Sequence, residues 1–309
     1  MRFSVKSPPA ATTWRAFFVL AAALAAVLDG RAQGKGYRPA PEYLQLGKPD
    51  QEEGRTIIAA FRQMGLAAGD FYLEFDLRVL PRRGPERVQH GLMWGSRNDQ
   101  GALTRVVLKD DAGGERRLLV QNGPQPAIWS WQPGATGTQR LGLAEQFVPL
   151  AQTDLTPFDL QMPFLFWNDF TFEGVARLRG RPAHRFLFLP PPEVVAAKPA
   201  LTGVRVSLDT QFHALVETEL IGEGGHPLKT VSLLELKKIQ EQWIELQKAQ
   251  DQWIPKTIDF RDEATRNKTR FTVTGAALGL TFAPALFEPA ALADDVQPPA
   301  AERIVRFGQ

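Results

Sequence analysis

An alternation of apolar and polar side chains after Gly69 constrains the fold of this chain more than any other sequence feature. Every second residue of the stretch is apolar, at Phe71, Leu73, Phe75, Leu77 and Val79. A period of two places these side chains on one face of a β-strand and the intervening polar residues on the other. The segment 71–79 is therefore predicted to be a half-buried strand, which needs a sheet beside it and a core beneath it.

Short stretches with strand character recur along the chain, separated by turn residues such as Arg83-Gly84-Pro85. The further predicted strands are 88–95, 103–109, 116–121, 127–131, 172–178, 183–189, 203–209, 212–221, 228 onward, 254–261 and 269–275. Strands joined by tight turns, without a helix between each pair, are typical of antiparallel sheets. We expect a mainly β fold with a few helices, in which one sheet runs through both halves of the chain.

A first helix is predicted after Pro49-Asp50. Apolar residues follow at helical spacing, at Ile57, Ile58, Phe61 and Met64. Acidic residues at positions 52 and 53 suit the positive end of the helix dipole, and Gly65 is expected to end the helix.

A second break in the strand pattern lies between residues 141 and 167. Thr156 is a candidate N-cap, and Pro157 occupies the first helical position, where its missing N–H is harmless. The apolar run Pro163-Phe164-Leu165-Phe166-Trp167 follows. We expect a helical or irregular segment that crosses one face of the sheet and covers it.

A ten-residue repeat makes one segment ambiguous. Residues 238–244, Lys-Ile-Gln-Glu-Gln-Trp-Ile, are echoed at 248–254 as Lys-Ala-Gln-Asp-Gln-Trp-Ile. The repeat is interpreted either as an extension of a β-hairpin or as a helical excursion, because its apolar residues also fit helical spacing. Both interpretations are structural.

The N-terminus resembles an export signal. Basic residues precede an uncharged, mainly apolar run at 16–28, and Gly30-Arg31-Ala32 provides a cleavage site with small residues. A run of this length is shorter than a bilayer core, so a cleaved signal is favoured over a retained anchor. We predict a signal peptide at 1–32, a linker at 33–49, a single domain at 50–292 and a frayed tail at 293–309, in a soluble periplasmic protein without a membrane span.

The charge of the chain excludes a nucleic-acid partner. The formal charge is +2, but residues 1–32 carry four basic side chains and one acidic one. The remaining chain therefore has a formal charge of about −1, with no basic excess to neutralise phosphates.

Sequence motifs for catalysis or metal binding are missing. The absence of cysteine excludes disulfides, thiolate metal sites and cysteine nucleophiles. The four histidines lack metal-site spacing, and no nucleophile elbow or phosphate-binding loop occurs; the histidines are His90, His184, His213 and His226. We expect no enzyme, no metal and no cofactor, although paired acid/base carboxylates would leave no motif and an enzyme is a less favoured alternative.

Large apolar side chains are abundant, with 20 Phe and 7 Trp. Core packing explains most single aromatics, but their alternation along strands and their concentration at 163–167 suggest a half-barrel with an apolar cavity under a helical cover. The candidate cavity residues are Phe71, Leu73, Phe75, Leu77, Trp129, Trp131, Phe164, Phe166, Trp167, Phe186 and Phe188.

Residues 153–292 resemble the LolA-like proteins of outer-membrane lipoprotein sorting, in particular an uncharacterised secreted branch. The resemblance is carried by short segments in a common order: 153–160, 174–190 with its Gly180-Arg181 turn, 204–209, 217–231, 253–256, Lys268-Thr269, and Phe287 to Leu292. It implies a half-open antiparallel β-barrel of LolA/LolB type, a curved sheet covered by short helices. It also implies transport of lipid or lipoprotein acyl chains through the cell envelope, between a donor and an acceptor protein.

Two departures from the family pattern limit what the resemblance transfers. Phe158 stands where the family usually has an acidic residue, and the repeat lengthens one hairpin. The basic residue that controls the lid of periplasmic carriers has no assigned position in the sequence.

The alternatives are a secreted β-sandwich that binds carbohydrate and a structural envelope protein. In the first, Trp129 and Trp131 lie on one face of a strand and stack on a sugar. Core burial explains the same two residues without a ligand.

Overall fold

The computed structural model describes residues 48–63, 69–109, 113–211, 214–239 and 252–308, all within the compact unit 41–309. The predicted signal peptide and most of the linker lie outside the described residues. The same holds for Met64, Gly65, His213 and the middle of the repeat, 240–251.

The described residues form an antiparallel sheet of 14 strands. The strands are β1 (Asp70–Leu80), β2 (Arg87–Asn98), β3 (Gly101–Lys109), β4 (Glu115–Gln121), β5 (Ala127–Trp131), β6 (Gln139–Arg140), β7 (Phe170–Leu178), β8 (Arg181–Phe188), β9 (Gly203–Asp209), β10 (Leu215–Ile221), β11 (Pro227–Ile239), β12 (Gln252–Asp262), β13 (Lys268–Leu280) and β14 (Val305–Arg306). Their order is β6-β5-β4-β3-β2-β1-β13-β12-β11-β10-β9-β8-β7, with β14 paired to β13. The sheet is curved and not closed, which confirms the predicted fold class.

Both halves of the chain share this sheet because β13 returns to the side of β1. Tyr72 lies between Trp94 of β2 and Ala277 of β13 in the register. β6 and β7 are neighbours in sequence but stand at opposite ends of the strand order. Residues 141–169 therefore have to cross a face of the sheet, as predicted.

In the described residues four α-helices accompany the sheet: α1 (Gln51–Gln63), α2 (Leu143–Gln146), α3 (Pro157–Gln161) and α4 (Pro192–Ala197). α3 confirms the predicted start, because Thr156 and Asp159 cap each other's backbone N–H groups. A 3₁₀ turn at Pro163–Phe166 follows α3 directly. The sequence does not predict α2 and α4, because four to six residues are too few to show a helical period.

The sheet buries apolar side chains on both faces. One face is covered by the helices and the crossing segment and is here called the helix face. It carries two clusters, centred on Phe75 of β1 and on Phe186 of β8. The opposite face, here called the C-terminal face, carries Tyr72 and Trp94 and is covered by the segment that follows β13. Alternation along each strand divides the side chains between the faces.

The C-terminal end of the chain corrects one expectation and confirms another. Phe287 and Leu292 are buried, as the predicted docking requires. The expected fraying after residue 293 is wrong for the described residues: β14 pairs with β13, and Arg306 forms an ion pair with Glu74. Pairing with an existing strand orders a segment whose own sequence lacks a structural signal.

The described ends of the repeat are strands. β11 extends to Ile239 and β12 begins at Gln252, and these two residues are partners in the register. β13 also runs further than predicted, to Leu280, because Gly275 lies inside the strand and its neighbours Ala276 and Ala277 hide the alternation.

Candidate functional site

One part of the aromatic cluster on the helix face comes from β8 and β7, the last two strands in the order of the sheet. Phe186 and Phe188 alternate with the half-buried Arg185 and Leu187 on β8 and are fully buried. Phe172 on β7 lies 5.0 Å from Phe186 between ring centroids, and Phe170 lies 5.2 Å from Phe188. These distances are those of direct aromatic contact.

The crossing segment supplies the other half of the cluster. Phe147 and Phe158 stack with centroids 4.5 Å apart, and Phe164 lies 5.8 Å from Phe158 and 6.3 Å from Trp167. Met162, between α3 and the 3₁₀ turn, adopts a left-handed conformation with φ of 49°. That conformation costs a non-glycine residue about 1–2 kcal/mol. It ends α3 and begins the 3₁₀ turn, whose residue Phe164 is buried in the cluster.

The first-strand candidates belong to the neighbouring cluster of the helix face. Leu73, Phe75 and Leu77 are buried there, and the half-buried Phe71 packs against it. The Phe75 ring stacks on Phe271 at 4.5 Å. A Cβ atom on Gly91 would lie 2.1 Å from the Phe75 ring, so this glycine leaves the space that the ring fills.

Trp129 and Trp131 lie on the C-terminal face, away from the other nine candidate residues. Trp129 pairs with Leu119 in the register, and both side chains point away from the helix face. The Trp131 ring lies 4.6 Å from the Arg117 guanidinium. Both tryptophans are half-buried against the C-terminal cluster, and the described fold is one sheet and not the sandwich of the carbohydrate-binding alternative.

The crossing segment and the sheet contribute aromatic side chains to one buried apolar cluster. Rings are in contact within the crossing segment, as between Phe147 and Phe158, and within the sheet, as between Phe172 and Phe186. A cavity of about 120 Å³ lies at the margin of the helix face, beside α2. A second hollow, of about 410 Å³, is lined by Arg82, Arg261 and Arg266 and lacks the apolar wall that an acyl chain needs.

α1 lies over the cluster and is tied to it at both ends. The Gln51 amide pairs with the backbone N–H and C=O of Phe172, at 2.9 Å each. At the other end Arg62 donates to the carbonyls of Leu165 and Trp167, the latter at 3.0 Å. Burial lowers the pKa of Arg62. The role of Arg62 has no sequence signal, because a basic residue in the last helical turn predicts a contact with the carbonyls of its own helix and not with those of a distant segment.

A glycine allows α1 to approach β7. A Cβ atom on Gly54 would lie 2.5 Å from the Cβ of Phe172. The backbone of α1 therefore packs directly against the strand beneath it. The buried side chain of Ile58 on α1 belongs to the aromatic cluster.

A buried polar network anchors the crossing segment to the sheet. Lys229 of β11 contacts the carboxylate of Asp159 and the backbone carbonyl of Asp154. Thr269 of β13 donates to the Asp154 carboxylate at 2.8 Å and accepts from the Asp154 N–H at 2.7 Å. Burial raises the pKa of Asp154. The segment 153–160, one of those that carry the family resemblance, is thus held to the sheet by an ion pair and hydrogen bonds.

Within the described ranges, no group of three His, Asp or Glu side chains is arranged to hold a metal ion. In the same part of the chain, no helix has the length and apolar character needed to cross a bilayer.

Comparison with solved structures identifies similar folds. A DUF1329 family protein from Desulfovibrio piger superposes with a TM-score of 0.61 at 13% identity, covering 78% of this chain and 98% of the other. A putative outer membrane lipoprotein-sorting protein domain from Vibrio parahaemolyticus gives 0.63 at 14% identity, with 79% and 99% covered. A LolA superfamily protein from Nitrosomonas europaea gives 0.55 at 12% identity, with 76% and 96% covered. No protein-family model and no curated protein matches the sequence. The resemblance inferred from the sequence is confirmed at the level of the fold.

Proposed function

Because this chain has the fold of the LolA-like proteins, we propose that it is a non-catalytic periplasmic carrier that binds the acyl chains of lipids or lipoproteins on its helix face. The observation that supports this function is the aromatic cluster beneath a cover of short helices. The cluster offers a large apolar surface, and α1 is held over it by side-chain contacts from Gln51 and Arg62. The proposed role is transport in outer-membrane lipoprotein sorting, between a donor and an acceptor protein of the envelope.

The proposed mechanism is transfer without a chemical reaction. Burying one methylene group contributes about 0.8 kcal/mol. Burial of a chain of ten or more carbons therefore offsets the free-energy cost of opening the cover. Phe164, Phe166 and Trp167 pack on the helix face at the place proposed for the acyl chain. Loading moves these side chains outward. A partner protein shifts the equilibrium between the closed and open states of the cover, which differ by a few kcal/mol in free energy.

The first prediction concerns the residues that fill the site. Replacing Trp167 with Ala is expected to tighten binding of a fluorescent fatty-acid probe about tenfold, because the ligand no longer has to displace a half-buried ring. Phe166→Ala should act in the same direction with a smaller effect. Probe titration measures both.

Trp131→Ala is the matched control, because it removes the same ring from the C-terminal face. It should leave probe affinity unchanged. Unchanged affinity in Trp167→Ala would mean that this ring is ordinary core packing.

The second prediction concerns the attachment of α1. Arg62→Gln removes the donors to Leu165 and Trp167 and should raise the rate of probe uptake by about three- to tenfold, measured by stopped-flow fluorescence. Arg55→Gln is the control on the same helix, because Arg55 is exposed and contacts Glu52. Equal uptake rates in the two variants would contradict a gating role for Arg62.

Native mass spectrometry tests the proposal as a whole. Protein purified from its own envelope without detergent should carry lipid or lipoprotein, and cell fractionation should place it in the periplasm without residues 1–32. Cytoplasmic protein free of lipid would refute the proposed function.

A further inference from the structure

The cavity of about 120 Å³ beside α2 has a mixed wall. Its apolar part is formed by Leu141, Val148, Leu150 and Pro157, and its polar part by Arg116 and Glu145. Leu150 and Pro157 are buried, whereas Val148 is 54% exposed. The cavity therefore leads from the surface toward the apolar cluster around Phe75, to which Leu150 belongs.

Arg116 presents an incompletely used guanidinium to this cavity. It lies two residues before Leu118 on β4, so its side chain is on the helix face. Its Nε donates to Ser130 Oγ at 3.4 Å, a long contact. Within the described part of the chain no carboxylate lies within ion-pair distance of Arg116, which leaves its terminal N–H groups available to a ligand.

We infer that this cavity holds the head end of a single-chain amphiphile whose alkyl chain ends in an anion, a carboxylate or a phosphate. Arg116 binds the anion through the two-pronged geometry of its guanidinium, and the first methylene groups contact Leu141, Leu150 and Pro157. A cavity of about 150 Å³ accommodates a benzene molecule, so the present one suits a few carbon atoms and not a whole chain. The inference rests on the proposed function, because the rest of the chain needs the apolar surface of the helix face.

Glu145 provides a second test of the inference, because its charge is opposite to that of Arg116. Its carboxylate lines the same cavity and accepts from the N–H of Gly142, the N-cap residue of α2, at 2.6 Å. A negative charge there weakens anion binding. Glutamine keeps the capping function and removes the charge, so Glu145→Gln is expected to favour the ligand.

The experiment is displacement of a fluorescent fatty-acid probe from the full chain by decanoate, decanol and decyl phosphate. Decanoate should compete about tenfold better than decanol, the factor that a charge-assisted hydrogen bond provides. Arg116→Gln should abolish this difference, and Glu145→Gln should tighten decanoate about two- to threefold. Arg140→Gln, which changes an exposed arginine on β6, should leave all affinities unchanged. The ratio between decanoate and decyl phosphate identifies the preferred head group.

The outcomes separate this inference from the proposed function. Equal competition by decanoate and decanol in the unmodified protein would overturn the inference, and so would an unchanged ratio in a folded Arg116→Gln variant. The carrier function would survive either result. Failure of all three compounds to displace the probe would refute the proposed function and the inference with it. Thermal unfolding of each variant shows that it is folded.

Discussion

Replacing Arg105 with Met is expected to lower the free energy of unfolding by about 3–5 kcal/mol. Arg105 is 1% exposed and extends from β3 into the segment that covers the C-terminal face. It donates to the backbone carbonyls of Leu286, Ala291, Leu292 and Asp294, at 2.9 Å for Ala291. Methionine fills the space but leaves these carbonyls without their donor, and a buried unsatisfied group costs about 1–3 kcal/mol.

Lysine does not rescue this site, because its ammonium group lacks the planar fork that reaches four carbonyls at once. Arg105→Lys should therefore lose more than half as much stability as Arg105→Met. Arg303→Met is the matched control, since Arg303 is exposed and makes one contact of 3.4 Å with the Gly279 carbonyl. Urea unfolding measures all three variants. A loss below about 1 kcal/mol in Arg105→Met would show that the covering segment is held by its apolar contacts alone.

The second large effect is expected at the pair formed by Lys229 and Asp159. Asp159→Asn keeps the shape of the side chain but leaves the Lys229 ammonium buried without its counter-charge, at a cost of about 3–5 kcal/mol. Lys229→Met leaves the carboxylate, whose remaining donors are the N–H and hydroxyl of Thr156, at 2.7 Å each. The lysine variant should therefore lose less stability than the aspartate variant.

The double variant Asp159→Asn/Lys229→Met completes the test. Neither charge remains, so the double variant should be more stable than Asp159→Asn alone, with a coupling of about 1–3 kcal/mol in the thermodynamic cycle. Arg205 and Glu173 form a more exposed pair on the sheet and provide a control cycle, with an expected coupling below about 1 kcal/mol. Additive losses at Lys229 and Asp159 would mean that the two side chains stabilise the fold independently.

Local features of the chain were predictable because each depends on neighbouring residues. The strand predicted at 71–79 is observed at Asp70–Leu80, since alternation shows the burial of each position. The start of α3 was predictable from Thr156 and Pro157, because the N-cap residue, the first helical residue and the capped N–H groups lie within three positions of one another. α2 and β6 are too short to carry a period and were found only in the structure.

The candidate site was predictable in part. Alternation predicts the phenylalanines of β8 and the apolar run at 163–167 predicts the aromatic residues of the crossing segment, and the structure brings both into one cluster. The same alternation selected Trp129 and Trp131, which lie on the opposite face, because a period of two does not reveal which face of a strand a helix will cover. Arg62 acts through carbonyls more than 100 positions away in the chain, and spacing cannot show such a contact.

The sequence by itself determined that the chain forms an antiparallel sheet, where most strands begin and end, and where the crossing segment enters a helix, because these properties depend on contacts between near neighbours. Tertiary structure alone decided which face each strand turns to the helices, and that the aromatic residues of the crossing segment join those of β7 and β8 in one cluster. Packing joins residues that are far apart in the chain, and the volume left between them depends on all their positions together.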